Sequence, residues 1–319
     1  MRAVRNVISK GRIVLKNPGQ IPRLMKNYLF LLMRVQRLRT VEIALTYQCQ
    51  CTCPHCSSRE LYDPRREELT IRGIHDVIDQ SVEQGAIHIL FTGGETLLAP
   101  RRVLSGIQHA KKHHCITSID TNGIRLDEEM TKRLAKKGLD VVCISIDSLS
   151  EKVHDSSRGF RGCLAKAKEG VFLCGRYGIL PIVSVLITRE KLRNGEVSSI
   201  LDFAKKNGAE VIFCLPVPTE SWNDENAQLD EEDMVMVERL LTHPSAKICA
   251  GNNYASDGCA AGSEKIAVTL YGDVMPCSFL NERWGNIRKE RLETILSRMR
   301  RDPRYKKVNR NVKCLAAGK

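Results

Sequence analysis

Between positions 40 and 215, six short runs rich in β-branched residues alternate with stretches of helical spacing, and this limits the chain to an α/β fold on parallel strands. The runs cover residues 40–47, 88–92, 116–121, 141–147, 182–188 and 210–215. Helical stretches near 71–84, 101–114, 128–137, 164–177 and 197–207 connect them. Gly85, Gly138, Gly178 and Gly208 stand between a helix end and the next strand, where a left-handed cap is easiest for glycine. Periodicity admits either a doubly wound sheet or a partial barrel. In both, the chemistry belongs at the carboxyl ends of the strands.

The alternation stops after Pro216-Val-Pro218. A polar stretch and the acidic helix start Asp230-Glu-Glu-Asp233 follow. From about Cys249 the chain reads as a small α+β annex, in which runs at 266–270 and 274–277 flank Tyr271-Gly272-Asp273 as in a hairpin and a helix is expected near 290–299. The expected division is a basic arm over 1–39, a core over 40–230, and a linker helix with the annex over 231–319.

The formal charge of +13 suggests a nucleic-acid partner, but its distribution argues against that reading. Residues 1–41 carry ten of the fifty Lys and Arg and none of the thirty-seven Asp and Glu, so the body is nearly neutral. In the arm, Ile21, Leu24, Tyr28, Leu31, Val35 and Leu38 recur at helical spacing with Arg23, Lys26, Arg34 and Arg37 nearby. Two uses fit such an amphipathic basic helix: its apolar side packs on the core, or it meets a membrane surface or lipid. The apolar run 28–33 is far short of the ~20 residues a span requires. No small-residue cleavage site follows, so no signal peptide is expected.

Thirteen cysteines in a chain long enough to bury its own core point to metal or cluster ligation in a reducing compartment, hence a cytoplasmic location with the arm peripheral to a membrane on the second reading. Directly after the first strand comes Cys49-Gln-Cys51-Thr-Cys53-Pro-His-Cys56, which contains the spacing CxxxCxxC. Three thiolates on one loop hold three irons of a cubane and leave the fourth open to a small molecule, with Cys51 spare. A thioredoxin-like redox motif and a zinc site compete at this point. The second strand then ends in Gly93-Gly94-Glu95, two glycines permitting close backbone approach and a carboxylate able to accept from an ammonium.

Together these residues resemble the radical S-adenosylmethionine (SAM) superfamily, over roughly 41–217. The resemblance implies a partial (β/α)6 TIM-like barrel, a four-iron four-sulfur cluster on Cys49, Cys53 and Cys56, and SAM bound through Gly93, Gly94 and Glu95. In similar enzymes polar groups at the next strand ends reach SAM, here Thr121 and Asn122, then Ser145 and Asp147, while Arg158 stands where an arginine meets the SAM carboxylate. Turn capping is the plain alternative for each. His55 departs from the aromatic that many members carry before the last cysteine.

Cys259-Ala-Ala-Gly262, Gly272 and Cys277 resemble the auxiliary-cluster annex called SPASM, or twitch when shorter, over about 258–314. The longer form has more cysteines at its end, whereas here Cys314 is followed three positions on by Ala317. One auxiliary four-iron four-sulfur cluster on Cys259, Cys277 and Cys314 is the most this tail supports, with Cys249 a candidate fourth ligand. Cys115, Cys143, Cys163, Cys174 and Cys214 read as buried apolar residues. The resemblance further implies reductive cleavage of SAM to a 5′-deoxyadenosyl radical, with an electron donor such as flavodoxin or ferredoxin. The radical would abstract hydrogen from a peptide or small biosynthetic intermediate, a lipid or sugar being the alternative. Positioning and exclusion of water, rather than acid-base residues, would be the protein's task. A non-enzymatic iron-sulfur or thiol-redox protein is the reading from a different class.

Overall fold

A computed structural model describes residues 18–33, 35–219, 222–249, 258–306 and 314–316. Residues 1–17, Arg34, the side chain of Leu31 and Ala317 lie outside the described residues.

Strands β1 (Thr40–Thr46), β2 (His88–Gly93), β3 (Ile116–Thr121), β4 (Val141–Ser145), β5 (Leu180–Leu186) and β6 (Glu210–Cys214) pair in parallel and in chain order. This consecutive order decides between the two α/β architectures. A doubly wound sheet reverses its strand order at a switch point, whereas same-handed crossovers between neighbours put every helix on one face and curl the sheet into a barrel. Val41, Ile43, Ile89, Phe91, Ile119, Val142, Val183 and Val211 point to the helical layer and are fully buried or nearly so. The alternate positions line the inside.

Helices α1 (Ile21–Leu32), α2 (Ser57–Glu60), α3 (Ile71–Glu83), α4 (Pro100–Lys112), α5 (Glu128–Lys136), α6 (Glu151–Arg158), α7 (Cys163–Arg176), α8 (Arg189–Arg193), α9 (Glu196–Lys206), α10 (Glu231–Leu240) and α11 (Leu292–Met299) follow in turn. The acidic helix start proves to be a capping box: Asp230 accepts from the Asp233 amide and Asp233 from that of Asp230. Helix α10 then leads to a seventh parallel strand, β7 (Ala246–Ile248), which three residues of half-polar sequence did not signal.

The expected hairpin is present as β8 (Lys265–Val268) and β9 (Asp273–Met275), with β10 (Gly285–Asn286) beyond. Strand β8 also pairs in parallel with β1, so the hairpin extends the core sheet to ten strands in the order β10-β9-β8-β1-β2-β3-β4-β5-β6-β7. Its first strand is buried on both faces, Ile266 and Val268 against the helices and Ala267 inside.

The arm packs by the opposite side from the one its apolar spacing suggested. Asn27, buried, donates to the Gly85 carbonyl at 2.7 Å, and Arg23 to the Ala86 carbonyl at 3.3 Å. Among the described side chains of the expected apolar stripe, Ile21 and Tyr28 are 42% and 50% exposed and only Leu38 is fully buried; Met25, Leu29 and Leu32 are also exposed. Polar side chains thus dock α1 through backbone acceptors at the entry to β2, and helical geometry leaves the apolar face outward. The helix ends at Leu32, and Leu38 approaches β1 in non-helical backbone.

Candidate functional site

The cysteine loop leaves β1 at the carboxyl edge of the sheet. Cys49 is exposed, Cys56 half-buried, Cys51 and Cys53 buried. The Cys51 amide points at Cys49 Sγ at 3.3 Å, Asn122 Nδ2 lies 3.8 Å from the same sulfur, and Arg158 Nη1 lies 3.6 Å from Cys53 Sγ. The Cys51 thiol donates to its neighbours, Cys163 included, and its own pKa is raised accordingly. Its hydrogen bond is the main reason that Cys49 falls below the usual thiol value and Cys53 falls to about 6, the Arg158 charge assisting at Cys53 against the effect of burial. Burial raises Cys56. Two of the three sulfurs at CxxxCxxC positions are therefore already biased toward thiolate and surrounded by the N–H donors that ligated sulfur takes, which suits a cluster. Cys163, read as a buried apolar residue, is buried as expected, and it also touches Cys51, which lowers it to about 5.

The glycine pair has a use that its sequence alone did not show. Gly93 has φ 141°, and a Cβ there would stand 2.0 Å from the Thr46 carbonyl oxygen; one at Gly94 would stand 2.4 Å from that of Gln48. The Gly94 and Glu95 amides donate to those same carbonyls at 2.7 and 2.8 Å. The close approach is thus to the backbone entering the cysteine loop. Glu95 is 0% exposed. Its Oε1 accepts from the Leu97 amide at 3.0 Å and the Thr121 hydroxyl at 2.7 Å, and its Oε2 from the Asn122 amide at 2.8 Å. Three of a carboxylate's roughly four acceptor positions are so used, and Glu95 ties the ends of β2 and β3 together. Burial raises its pKa and these donors oppose the rise.

Asp147 and Arg158 form a buried ion pair between Asp147 Oδ2 and Arg158 Nη2, with Asp147 Oδ1 accepting from the Leu186 amide at 2.9 Å. Burial alone would raise the Asp147 carboxyl, but the Arg158 and Lys191 charges and the Leu186 amide together outweigh it, and the net direction is down. Arg158 ends α6, its carbonyl accepts from the Thr52 amide at 2.8 Å, and Gly159 follows with φ 64° hard against Thr52. The helix end thereby grips the cysteine loop. Ser145 sits half-buried at the end of β4, beside Ser184. His55 is held neutral, burial pushing it down to about 4, and packs edge-on against Trp222 at 6.0 Å between centroids.

Inside the barrel runs a polar row that the sequence reading missed. Lys265 Nζ on β8 lies 2.7 Å from Glu42 on β1. Asp120 on β3 bonds to Thr92 and to Cys143, and burial, with the Glu42 charge adding, pushes its carboxyl up to about 7. The row continues through Ser184 and Cys214, whose side chains are 3.3 Å apart, to Cys249. Its signal was available: charged or polar side chains at alternate positions of otherwise apolar strands. Cys143 and Cys214 therefore face this interior rather than the core.

At the C-terminal end, Cys259 and Cys277 are buried in one cluster with Val217, Leu280 and Ala316, and Cys314 packs against it. The Cys259 thiol is lowered to about 6, first by its hydrogen bond with Cys314. Cys259 and Cys314 are thus in contact, and Cys277 packs in the same cluster. Cys249 bonds to Cys214 instead.

Residues 43–204 match the model of the radical SAM superfamily. The chain belongs to the radical SAM superfamily. Residues 259–316 match the SPASM iron-sulfur cluster-binding domain, so a four-iron four-sulfur cluster, SAM and an auxiliary iron-sulfur cluster are the cofactors of this radical SAM protein. It is 29% identical over 253 residues to the mycofactocin maturase MftC of Mycobacterium tuberculosis, covering 74% of this chain and 63% of the relative. It is 24% identical over 253 residues to the PqqA peptide cyclase of Xanthomonas campestris pv. campestris, covering 75% and 66%. The chain thus spans somewhat less than two thirds of these relatives' length. Among solved structures, Streptococcus suis SuiB bound to its precursor peptide SuiA superposes with a TM-score of 0.69 at 16% identity, over 92% of this chain and 73% of that one. That likeness shows the fold.

Proposed function

We propose that this chain reductively cleaves SAM and uses the product to abstract hydrogen from a peptide, in an oxidative or bond-forming modification assisted by the auxiliary cluster. The observation that carries the reading is the cysteine loop itself: three thiols at CxxxCxxC spacing, two biased toward thiolate, seated on the Gly93-Gly94 turn at the carboxyl edge of a barrel with a polar interior. Cys49, Cys53 and Cys56 hold the cluster, which when bound supplies the electron that splits SAM to methionine and a 5′-deoxyadenosyl radical. Gly93, Gly94, Glu95, Thr121, Asn122, Ser145, Asp147 and Arg158 shape the SAM site. Glu95 and the Asp147–Arg158 pair act chiefly by fixing strand ends and the loop. Cys259, Cys277 and Cys314 hold the auxiliary cluster.

A peptide substrate is favoured by the relatives, among them a peptide cyclase and a protein seen with its precursor peptide. A pocket of about 530 Å³ beside the loop, lined by Gln50, Ile124, Arg125, Asp127, Arg133 and Phe160, offers both signs of charge to such a chain. Anaerobic incubation with SAM and dithionite, or with flavodoxin or ferredoxin as donor, is expected to yield 5′-deoxyadenosine. Absence of that product from cluster-loaded protein would refute the reading in favour of a plain iron-sulfur or thiol-redox protein.

The division into arm, core and annex near positions 39 and 230 is part of the same proposal. No helix among the described residues is long and apolar enough to cross a membrane. The outward Met25, Tyr28, Leu29 and Leu32 beside an arm with ten basic and no acidic residues instead suit an anionic membrane surface. Deleting residues 1–38 should weaken binding to phosphatidylserine vesicles at low salt while leaving uncoupled SAM cleavage in place, and the difference should shrink as salt rises. Equal vesicle binding by both forms would remove the arm from this role.

A further inference from the structure

Far from the strand ends, on the outer layer, α3 and α4 pack side by side and bring four ligand-type side chains together. His109 and His113 are one turn apart, the second capping the C-terminus of α4, and Asp79 faces them from α3. Asp79 Oδ1 accepts from Nε2 of both imidazoles, each at 2.7 Å. The three ligand atoms lie within 4.8 Å of one another, and all three residues are half-buried. His75, from α3, stacks flat on the His109 ring at 4.1 Å and is itself held by Ser105 at 2.9 Å. The rings are thus oriented by packing as well as by the carboxylate.

We propose that Asp79, His109 and His113 form a binding site for a divalent transition metal of the zinc class, clamping α3 to α4. Two histidines four apart on a helix place their Nε2 atoms over one point, and a carboxylate from across the groove completes a three-ligand set of nitrogen and oxygen. Zinc accepts this set with a solvent molecule in the fourth position; magnesium and calcium, which want oxygen, do not. In a tetrahedral site at ~2.0–2.1 Å the ligand atoms stand about 3.3 Å apart, so the 2.7 Å contacts need to open by only a few tenths of an ångström as the ion replaces the shared protons. The proposal does not depend on the SAM reaction, because none of these residues touches the strand-end site.

The test uses protein with its iron-sulfur clusters loaded under argon, so that the cysteine ligands are occupied, titrated calorimetrically with zinc chloride. One zinc per chain is expected in the wild type, with affinity falling at least about a hundredfold in the double variant His109→Ala/His113→Ala and a zinc-dependent rise in Tm of about 5 °C confined to the wild type. Asp79→Asn/His113→Gln preserves hydrogen bonding and should show the same loss if the alanine variant folds poorly. Zinc-edge X-ray absorption should report nitrogen and oxygen near ~2.0 Å and no sulfur near ~2.3 Å. Equal zinc binding by wild type and variants, no binding at all, or a sulfur shell would overturn the proposal.

Discussion

Cluster-loaded protein in which Cys49, Cys53 and Cys56 are all changed to Ala is expected to lose SAM cleavage completely while keeping about half of its iron. Wild type should take up about eight irons, two cubanes, and the variant about four, held by the C-terminal cysteines. The two cysteine groups are independent in the structure: one lies on the loop after β1, the other clusters with Val217, Leu280 and Ala316. Loss of the first set therefore leaves the second packed. Iron analysis with 5′-deoxyadenosine measured by chromatography reads both halves of the expectation. Residual cleavage at a tenth of the wild-type rate would mean that other residues bear the cleaving cluster, and Cys51 and Cys163, which touch the same loop, would be the first to examine.

The second large effect is expected on stability, at Arg158. Its side chain is 11% exposed and that of Asp147 only 3%, so Arg158→Ala leaves a carboxylate buried without its partner. Breaking such a pair from one side costs about 3–5 kcal/mol, and the lower end applies here because Lys191 Nζ stands 4.0 Å from Asp147 Oδ1 and shares the compensation. A fall in Tm of about 5 °C follows for a chain of this size. The double variant Arg158→Ala/Asp147→Ala should recover part of the loss, since no buried charge remains unpaired. Arg158→Lys should fall between, because an ammonium cannot span Asp147 and Cys53 as the guanidinium does. Thermal unfolding under argon of the three variants checks this. A single variant that melts within 1 °C of wild type would show that the pair is solvated rather than buried.

Much of the fold was legible because it is local. The six core strands and the helices between them follow from side-chain period, and their observed ends fall within a few residues of those read from spacing. Two elements were not legible: the three residues of β7 are too few for a period to register, and α6 carries a single apolar residue, Val153, and so has no apolar stripe. The side by which the arm docks was not legible for a related reason. Its spacing identified the apolar face correctly, but a hydrophobic stripe states only that a surface exists, and here Asn27 and Arg23 found backbone acceptors at Gly85 and Ala86 first.

By itself the sequence determined the alternating α/β pattern, the hairpin around Gly272, the cysteine spacing and its place at the end of the first strand. All are properties of neighbours in the chain, set by side-chain period, turn chemistry and the reach of one loop. Periodicity left the barrel and the doubly wound sheet open, and the partial barrel that the family resemblance implied rests on a consecutive strand order seen only in the tertiary structure, as is the seating of the glycine pair on the cysteine loop. The tertiary structure alone paired Asp147 with Arg158 and aligned Glu42, Asp120 and Lys265 in one interior row. The physical reason is common to all of these. Each contact joins residues on different elements, and its existence depends on which strand lies beside which, a choice made by the burial of whole faces and invisible to any window of sequence.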